Sequence, residues 1–552
     1  MIRPEDWRPV GNMDLEPNAL AAIETIDSNV VVAAGPGAGK TELLAQRADF
    51  LFRTGEAPYP RRILAISFKV DAARNLGDRV RARSGAQYAA RFDSLTFHAL
   101  AKQLIDNYRP ALTGQSALIP DYRVDRDTRT QGEQITFREF VPLALEILEA
   151  NEYARGAIRQ TYSHVFFDEL QDATDEQFEF VKAAFSQTDA QLTAVGDVKQ
   201  RIMAWAGALD GVMQKYTVAF DATALTLYRN FRSKPRLRRM QNRMILDMEP
   251  SASSPVDELV GEDGTIGVLH FDDADAEAVA LADTIAGWLA NGTPPSEIAV
   301  LIRNQPHLLA ATLGERLIER GIAFRNEQES QDLDAEPAAL LVLSYLRVVA
   351  DERRPDAYSA LLRVATQSSS SDADDDVTES RLRRHLAQAR SRIRDAAFDR
   401  SDFASWKPLL ADFLKLTART RLKALSPSYQ QGTRLDEVLM KALASFKREL
   451  DVDGNPVAAL NRLSQEDAIR FLTIHKCKGL EFEKVVVLGV ETELFFGSPA
   501  DVMSEYFVAI SRAKDELIVT SVDYRAKPKG ASWRWSERRT PYRHLIDYAA
   551  EN

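Results

Sequence analysis

The sequence predicts an α/β protein of two doubly wound parallel-sheet lobes, each with a mainly helical insertion. Three observations predict it. Short apolar runs at 30–34, 62–67, 164–168 and 192–196 are each followed by a loop and a helical pattern. That alternation builds a parallel sheet with helices on both faces. A second set, at 225–228, 297–303, 484–490 and 516–522, repeats it later in the chain. Finally, 552 residues exceed what one core holds, since single cores rarely pass ~250–300 residues.

In chain order, the first lobe takes residues 1–100, is interrupted by a helical insertion at 101–160, and resumes over 161–224. The second lobe takes 225–330 and 466–552, the latter including a short tail, around a longer helical insertion at 331–465. Inside that insertion the tract SSSSDADDD (368–376) is too polar to pack and reads as a mobile linker. No internal repeat stands out.

Composition narrows the function classes. Hydrophobic content of 45% and charged content of 27% describe an ordinary soluble globular protein. A single cysteine, Cys477, excludes internal disulfides, iron–sulfur clusters and cysteine zinc sites. The seven histidines are scattered, which argues against a metal cluster built on them. The opening MIRPEDWRPV is unlike a signal peptide, and no apolar run approaches the ~20 residues that span a bilayer. A reducing, cytoplasmic location with no membrane partner is expected. The net charge of −11 does not exclude nucleic acid, because binding follows local fields. Basic clusters lie at 229–243, 381–394 and 527–539; the plain reading of each is a solvated helix face, favoured for 381–394.

Chemistry concentrates in two stretches. Residues 30–41, VVVAAGPGAGKT, run from an apolar strand through a glycine turn into a helix. Glycines let the backbone wrap closely, so N–H groups and the helix N-terminus face anionic oxygens. Ala34, Gly35, Pro36, Gly37, Ala38, Gly39, Lys40 and Thr41 form this cradle, with Lys40 reaching the β/γ-phosphates and the Thr41 hydroxyl ligating Mg²⁺. ATP or GTP binding follows. In residues 164–172, HVFFDELQD, an apolar strand ends in a carboxylate pair. Asp168 is the expected metal holder and Glu169 the residue that polarises an attacking water. A kinase needs a base for a substrate hydroxyl instead.

DELQD resembles the DExQD box of the UvrD/Rep group of superfamily 1 helicases, and further motifs follow in family order. Residues 63–80 look like motif Ia, SLTFHAL (94–100) like the TFH motif, and AVGDVKQRIMAWAGA (194–208) like motif III. LYRNFRSKP (227–235) looks like motif IV, TIHKCKGLEFEKVVVLG (473–489) like motif V, and FVAISRAKDEL (507–517) like motif VI. The resemblance covers nearly the whole chain. It implies RecA-like lobes, ATP and Mg²⁺ as cofactors, and an ATP-dependent DNA helicase or translocase moving 3′→5′ on single-stranded or tailed DNA. Repair and anti-phage defence are the implied settings, the latter with a separately encoded nuclease, since no nuclease signature is appended.

The resemblance also assigns residues. Gln200 senses the γ-phosphate, Arg232 and Arg512 act as arginine fingers, Phe231 stacks on adenine, and Glu481 lies near the ribose or phosphates. Phe68 and Trp205 match aromatics that stack on single-stranded bases, while Thr96, His98 and His475 face the strand or couple it to the ATP cleft. Three positions depart from the pattern. Ala19 replaces the adenine-reading glutamine, with Asn18 beside it, and Met203 and Ala206 replace a tyrosine and an arginine of motif III. The Ala19 departure bears on the preference for ATP, while Met203 and Ala206 point to weak or partner-dependent unwinding and keep open a different class: a DNA-stimulated ATPase switch that regulates a partner nuclease without unwinding. A small-molecule kinase fails on Gln171, Gln200 and the two arginines.

Overall fold

The computed structural model describes the chain apart from residues 12, 126–127, 201–208, 210, 327–335, 352–353, 356, 360, 362–371, 427–428, 430–432, 464–467, 529–530, 532–534 and 551–552. Its strands, in chain order, are β1 (Val30–Ala34), β2 (Arg62–Ser67), β3 (Phe92–Thr96), β4 (Leu118–Asp125), β5 (Gly132–Thr136), β6 (Tyr162–Phe167) and β7 (Gln191–Gly196). They continue with β8 (Thr223–Leu227), β9 (Thr265–Asp273), β10 (Ile298–Ile302), β11 (Phe324–Asn326), β12 (Ile469–Thr473), β13 (Phe482–Val487) and β14 (Ala513–Tyr524). Two six-stranded sheets result, ordered β3-β2-β6-β7-β1-β8 and β11-β12-β10-β13-β14-β9, and β4 pairs with β5 in a small separate sheet. Every pairing within the two large sheets is parallel. The α/β class with two parallel-sheet, RecA-like lobes is therefore correct.

Side-chain alternation explains why both faces of the first sheet are covered. Val31, Leu64, Ile66, Val165 and Phe167 point to one face and share a core with the helices Phe97–Tyr108 and Phe140–Ala150. Val30, Val32, Ile63, Ala65 and Phe166 point to the other and pack on the helix Lys40–Thr54. A period of two on a sheet buried on both faces leaves no polar position, hence the unbroken apolar runs. The helices between Pro337 and Leu463 bury a separate core, including Trp406, Phe446, Tyr345 and Leu346.

One strand sits elsewhere than expected. The run at 225–228, read as the first strand of the second sheet, belongs to β8, which closes the edge of the first sheet beside β1, from Val30↔Thr223 to Ala34↔Leu227. As an edge strand its outer residues stay exposed, and the Thr223 N–H is satisfied by the Asn29 carbonyl at 2.8 Å. The corresponding edge of the second sheet is β9, whose alternating, half-exposed TIGVLHFDD shows no apolar run. The acidic tract also differs from expectation. Its residues from Asp372 onward open the helix Asp372–Arg394 instead of a linker, while 368–371 lie outside the described residues. Among the described residues no helix is long and apolar enough to cross a membrane.

Candidate nucleotide site at the lobe interface

The cradle follows β1 and leads into the helix Lys40–Thr54. That helix has Gly39 at its N-cap, and no side chain caps its first-turn N–H groups. Gly37 and Gly39 have φ of +73° and +81°, a region that favours glycine. A side chain at Gly37 would also strike Asn230 and Arg232, because the loop after β8 lies directly on the cradle. The Phe231 N–H donates to the Gly37 carbonyl at 3.0 Å. The Lys40 ammonium donates back to the carbonyls of Ala34 and Gly35, at 3.2 and 3.3 Å. A strand-end loop leading into a helix without a side-chain cap, with a cation folded onto it, fits a polyphosphate.

Asp168 and Glu169 lie at the end of β6. Asp168 is 5% exposed, and its Oδ1 is buried without a hydrogen-bond partner. A buried, unpartnered carboxylate oxygen beside a phosphate cradle fits a hard, oxygen-seeking cation such as Mg²⁺, with Thr41 in the first helical turn as the second donor. Burial raises the pKa of both carboxyls. For Asp168 burial and the adjacent Glu169 charge prevail, and the value rises. For Glu169 the cations Lys40 and Lys478 and the Gln171 amide outweigh burial, and the value falls. Glu169 therefore stays ionised, as a water-polarising carboxylate must. It also adopts a left-handed conformation, φ +56°, rare for a residue with a side chain and the kind of strain found at functional sites.

The two lobes meet over these carboxylates. The Gln200 Nε2 donates to Asp197 Oδ2 at 2.8 Å, and its Oε1 accepts from Arg512 Nη2 at 2.7 Å. Arg512 is 1% exposed and also donates to the carbonyls of Val508 and Leu480, at 2.9 and 3.2 Å. Burial, then repulsion from Arg232, pulls its pKa down to about 10, which leaves it charged at neutral pH. Arg232 is paired with Glu481, Nε to Oε2 at 2.7 Å, and donates to the Ser511 carbonyl at 3.1 Å. Burial disfavours the Glu481 charge, but Arg232 more than compensates and its pKa falls. Phe231, 59% exposed, borders a cleft of about 400 Å³ that also includes Arg232, Arg238 and Lys514. Asn18, beside Ala19, spends its amide on the Thr226 carbonyl at 2.8 Å.

Three residues given no role from the sequence stand at the centre. Lys478 reaches from the second lobe to donate to Asp172 Oδ2 at 2.6 Å and to the Gln200 carbonyl at 2.9 Å, and it lies 3.8 Å from Glu169. Gln171 accepts from the Asp197 N–H at 2.9 Å and donates to Glu169, tying the carboxylate strand to the next one. The signal was present, since Lys478 stands in the motif V stretch and Gln171 and Asp172 in DELQD.

The residues expected to face nucleic acid are more dispersed. Phe68 is half-buried, edge-on to Phe97 with centroids 5.5 Å apart. Thr96 caps the helix Phe97–Tyr108, its hydroxyl accepting from the Ala99 N–H at 3.2 Å. His98 packs 5.3 Å from the ring of Phe137, and burial lowers its pKa. His475 lies 3.7 Å from Glu505, in the second lobe. Trp205, Met203 and Ala206 lie outside the described residues.

Two parallel-sheet lobes meeting over a glycine cradle, with Arg512 of the second lobe bonded to Gln200 of the first, fit a two-lobed nucleoside-triphosphatase. Comparison with known proteins gives the family. Residues 18–206 match the model described as an AAA domain, and 410–524 match the UvrD-like helicase C-terminal domain. DNA helicase II of Haemophilus influenzae is 24% identical over 78% of this chain, which spans 64% of that protein. The ATP-dependent DNA helicase Rep of Escherichia coli is 24% identical, with 92% of this chain and 91% of that protein covered. DNA helicase II of Escherichia coli is 23% identical over 91% of this chain and 84% of its own length. Both matches and these relatives support a UvrD/Rep-like helicase.

Proposed function

We propose that the chain is an ATP-dependent DNA helicase that moves 3′→5′ along single-stranded DNA. The observation that carries the reading is the lobe interface: Lys478 on Asp172 and Gln200, and Arg512 on Gln200, put the hydrolytic site under joint control of both lobes. Relatives named as ATP-dependent DNA helicases support the same reading.

The mechanism follows from these contacts. ATP lies in the cradle, its phosphates on the backbone N–H groups and Lys40, its adenine against Phe231. Thr41 and Asp168 would hold Mg²⁺, which would supply charge neutralisation at the phosphates. Glu169, kept ionised by Lys40 and Lys478, orients and accepts a proton from the attacking water. Arg232 exchanges Glu481 for phosphate oxygens, and Arg512 with Gln200 stabilises the charge that develops on the transferred group. Because both arginines answer to the second lobe, occupancy of the γ-phosphate position biases the lobes toward closure, and its loss releases them. Bound DNA, gripped by aromatic side chains and His475, is then advanced by each cycle.

The test is ATP turnover with single-stranded DNA, blunt duplex or no DNA across a salt series. Single strands should stimulate strongly and the effect should fall with salt, as counterions compete for phosphate contacts. Equal stimulation by blunt duplex contradicts single-strand tracking.

A further inference from the structure

The basic run at 381–394 reads from sequence as a solvated helix face, but its first residue has a different setting. Arg381, on the helix Asp372–Arg394, stands at the mouth of a cavity of about 190 Å³ in the helical insertion of the second lobe. The floor is apolar: Leu341, Leu382 and Phe413 come from three different helices, and each is at most 3% exposed. Phe413 is fixed from behind by Tyr345, stacked with centroids 4.0 Å apart. The Tyr345 hydroxyl is held in turn, 3.1 Å from His385 Nε2 and 3.3 Å from the Leu409 carbonyl. Leu416, half-buried, carries the wall to the surface. A cavity of about 150 Å³ lined by such side chains takes a benzene-sized molecule, so this one has room for a phenyl or branched-alkyl group.

The mouth carries charge of one sign. Arg421 joins Arg381 there, because the chain turns sharply between the helices Phe403–Thr417 and Arg419–Ala424. At that turn Ala418 takes φ +59° and ψ 138°, a conformation sparsely used by residues with a side chain. None of the described lining residues is acidic, and the neighbouring Arg419 is committed to Asp436 through bonds of 2.8 and 2.5 Å. Surface arginines by themselves are usually just solvated. Two at the rim of an apolar cavity complement an anion with an apolar body, since a guanidinium binds a carboxylate through paired N–H groups. We propose that this cavity is a binding site for a small organic carboxylate whose apolar body is of phenyl or branched-alkyl size. The site belongs to the core that the insertion buries by itself, so its occupancy does not depend on whether the chain moves along DNA.

The test titrates the full chain calorimetrically with phenylacetate, 4-methylpentanoate, phenylacetamide and acetate. Wild type is compared with Leu416→Trp and with a double variant, Arg381→Gln with Arg421→Gln. At least one of the two larger carboxylates should bind at a single site with a Kd of about 1 mM or tighter. Phenylacetamide, which lacks the charge, and acetate, which lacks the body, should each bind at least about tenfold more weakly. The double variant should lose about tenfold for the carboxylate and keep its affinity for phenylacetamide. Leu416→Trp should fill the cavity and abolish binding, with ATP turnover unchanged. If Leu416→Trp does not fold, the double variant, altered only at the rim, decides. No saturable binding of either larger carboxylate overturns the site, and so does phenylacetamide bound as tightly as phenylacetate. Carboxylate binding that survives the double variant, with duplex DNA affinity lost instead, overturns it too and makes the arginines a nucleic-acid contact.

Discussion

Lys478→Ala should separate the lobes without unfolding either. The ammonium makes its polar contacts with the first lobe, at Asp172, the Gln200 carbonyl and, further off, Glu169. Its side chain is 4% exposed and that of Asp172 5%, so the pair is desolvated. Asp172 already has one buried oxygen without a hydrogen bond, and burial raises its pKa despite Lys478. Removing one partner of a buried pair costs about 3–5 kcal/mol when the other charge stays buried. Here it need not stay buried, because opening the lobes returns Asp172 to water. The cost therefore falls on closure, shifting the open-to-closed ratio by roughly a hundredfold to several thousandfold. Donor and acceptor dyes, one on each lobe, read this as a longer mean distance, while DNA-stimulated turnover falls at least about tenfold. Pairing Lys478→Met with Asp172→Asn should restore part of the closed population, because the orphaned charge is gone. Wild-type distances and turnover in Lys478→Ala would refute the reasoning.

Lys40→Ala and Glu169→Gln should both abolish turnover yet differ in binding: the first loses nucleotide affinity, the second holds ATP in a closed complex, which equilibrium binding with a fluorescent analogue resolves. Arg525 is clamped between Glu277 and Glu491, with contacts of 2.6 and 2.9 Å to the two carboxylates. Arg525→Ala should cost the second lobe about 3–5 kcal/mol in urea unfolding, and a loss under about 1 kcal/mol would contradict the burial argument. His164 is held neutral, as burial and then the Arg47 charge pull its pKa down to about 3. Between about 6.5 and 3 the unfolded chain takes a proton that the folded one refuses, so stability is full above that window and declines as pH falls through it, by up to ~1.4 kcal/mol per pH unit. His164→Gln should flatten that acid limb in pH-dependent unfolding.

The legible parts of the fold were those where burial is two-sided. β1, β2, β6, β7 and β10 are covered on both faces and announce themselves as apolar runs, whereas β3, β9 and β11 are edge strands that mix polar and apolar residues. The same physics misplaced β8: TALTL reads as a strand, but nothing in it says which sheet it joins. In the site, the cradle and the Asp168–Glu169 pair were legible because their chemistry needs fixed residue types at fixed spacing. Lys478 was not, because a lysine ranks as a surface residue until a partner 306 positions away is known. The hydroxyl of Thr96, placed by its motif at the strand or between it and the ATP cleft, also caps a helix, a local role that the motif does not spell out.

Strand displacement and ATP turnover, counted together on one duplex with a 3′ single-stranded tail and on its 5′-tailed counterpart, bear most directly on the motor. Coupled displacement from the 3′ tail, abolished by Glu169→Gln and absent on the 5′ tail, is the predicted result. ATP hydrolysis on the 3′-tailed duplex with no strand released would contradict it and leave a DNA-gated switch in its place.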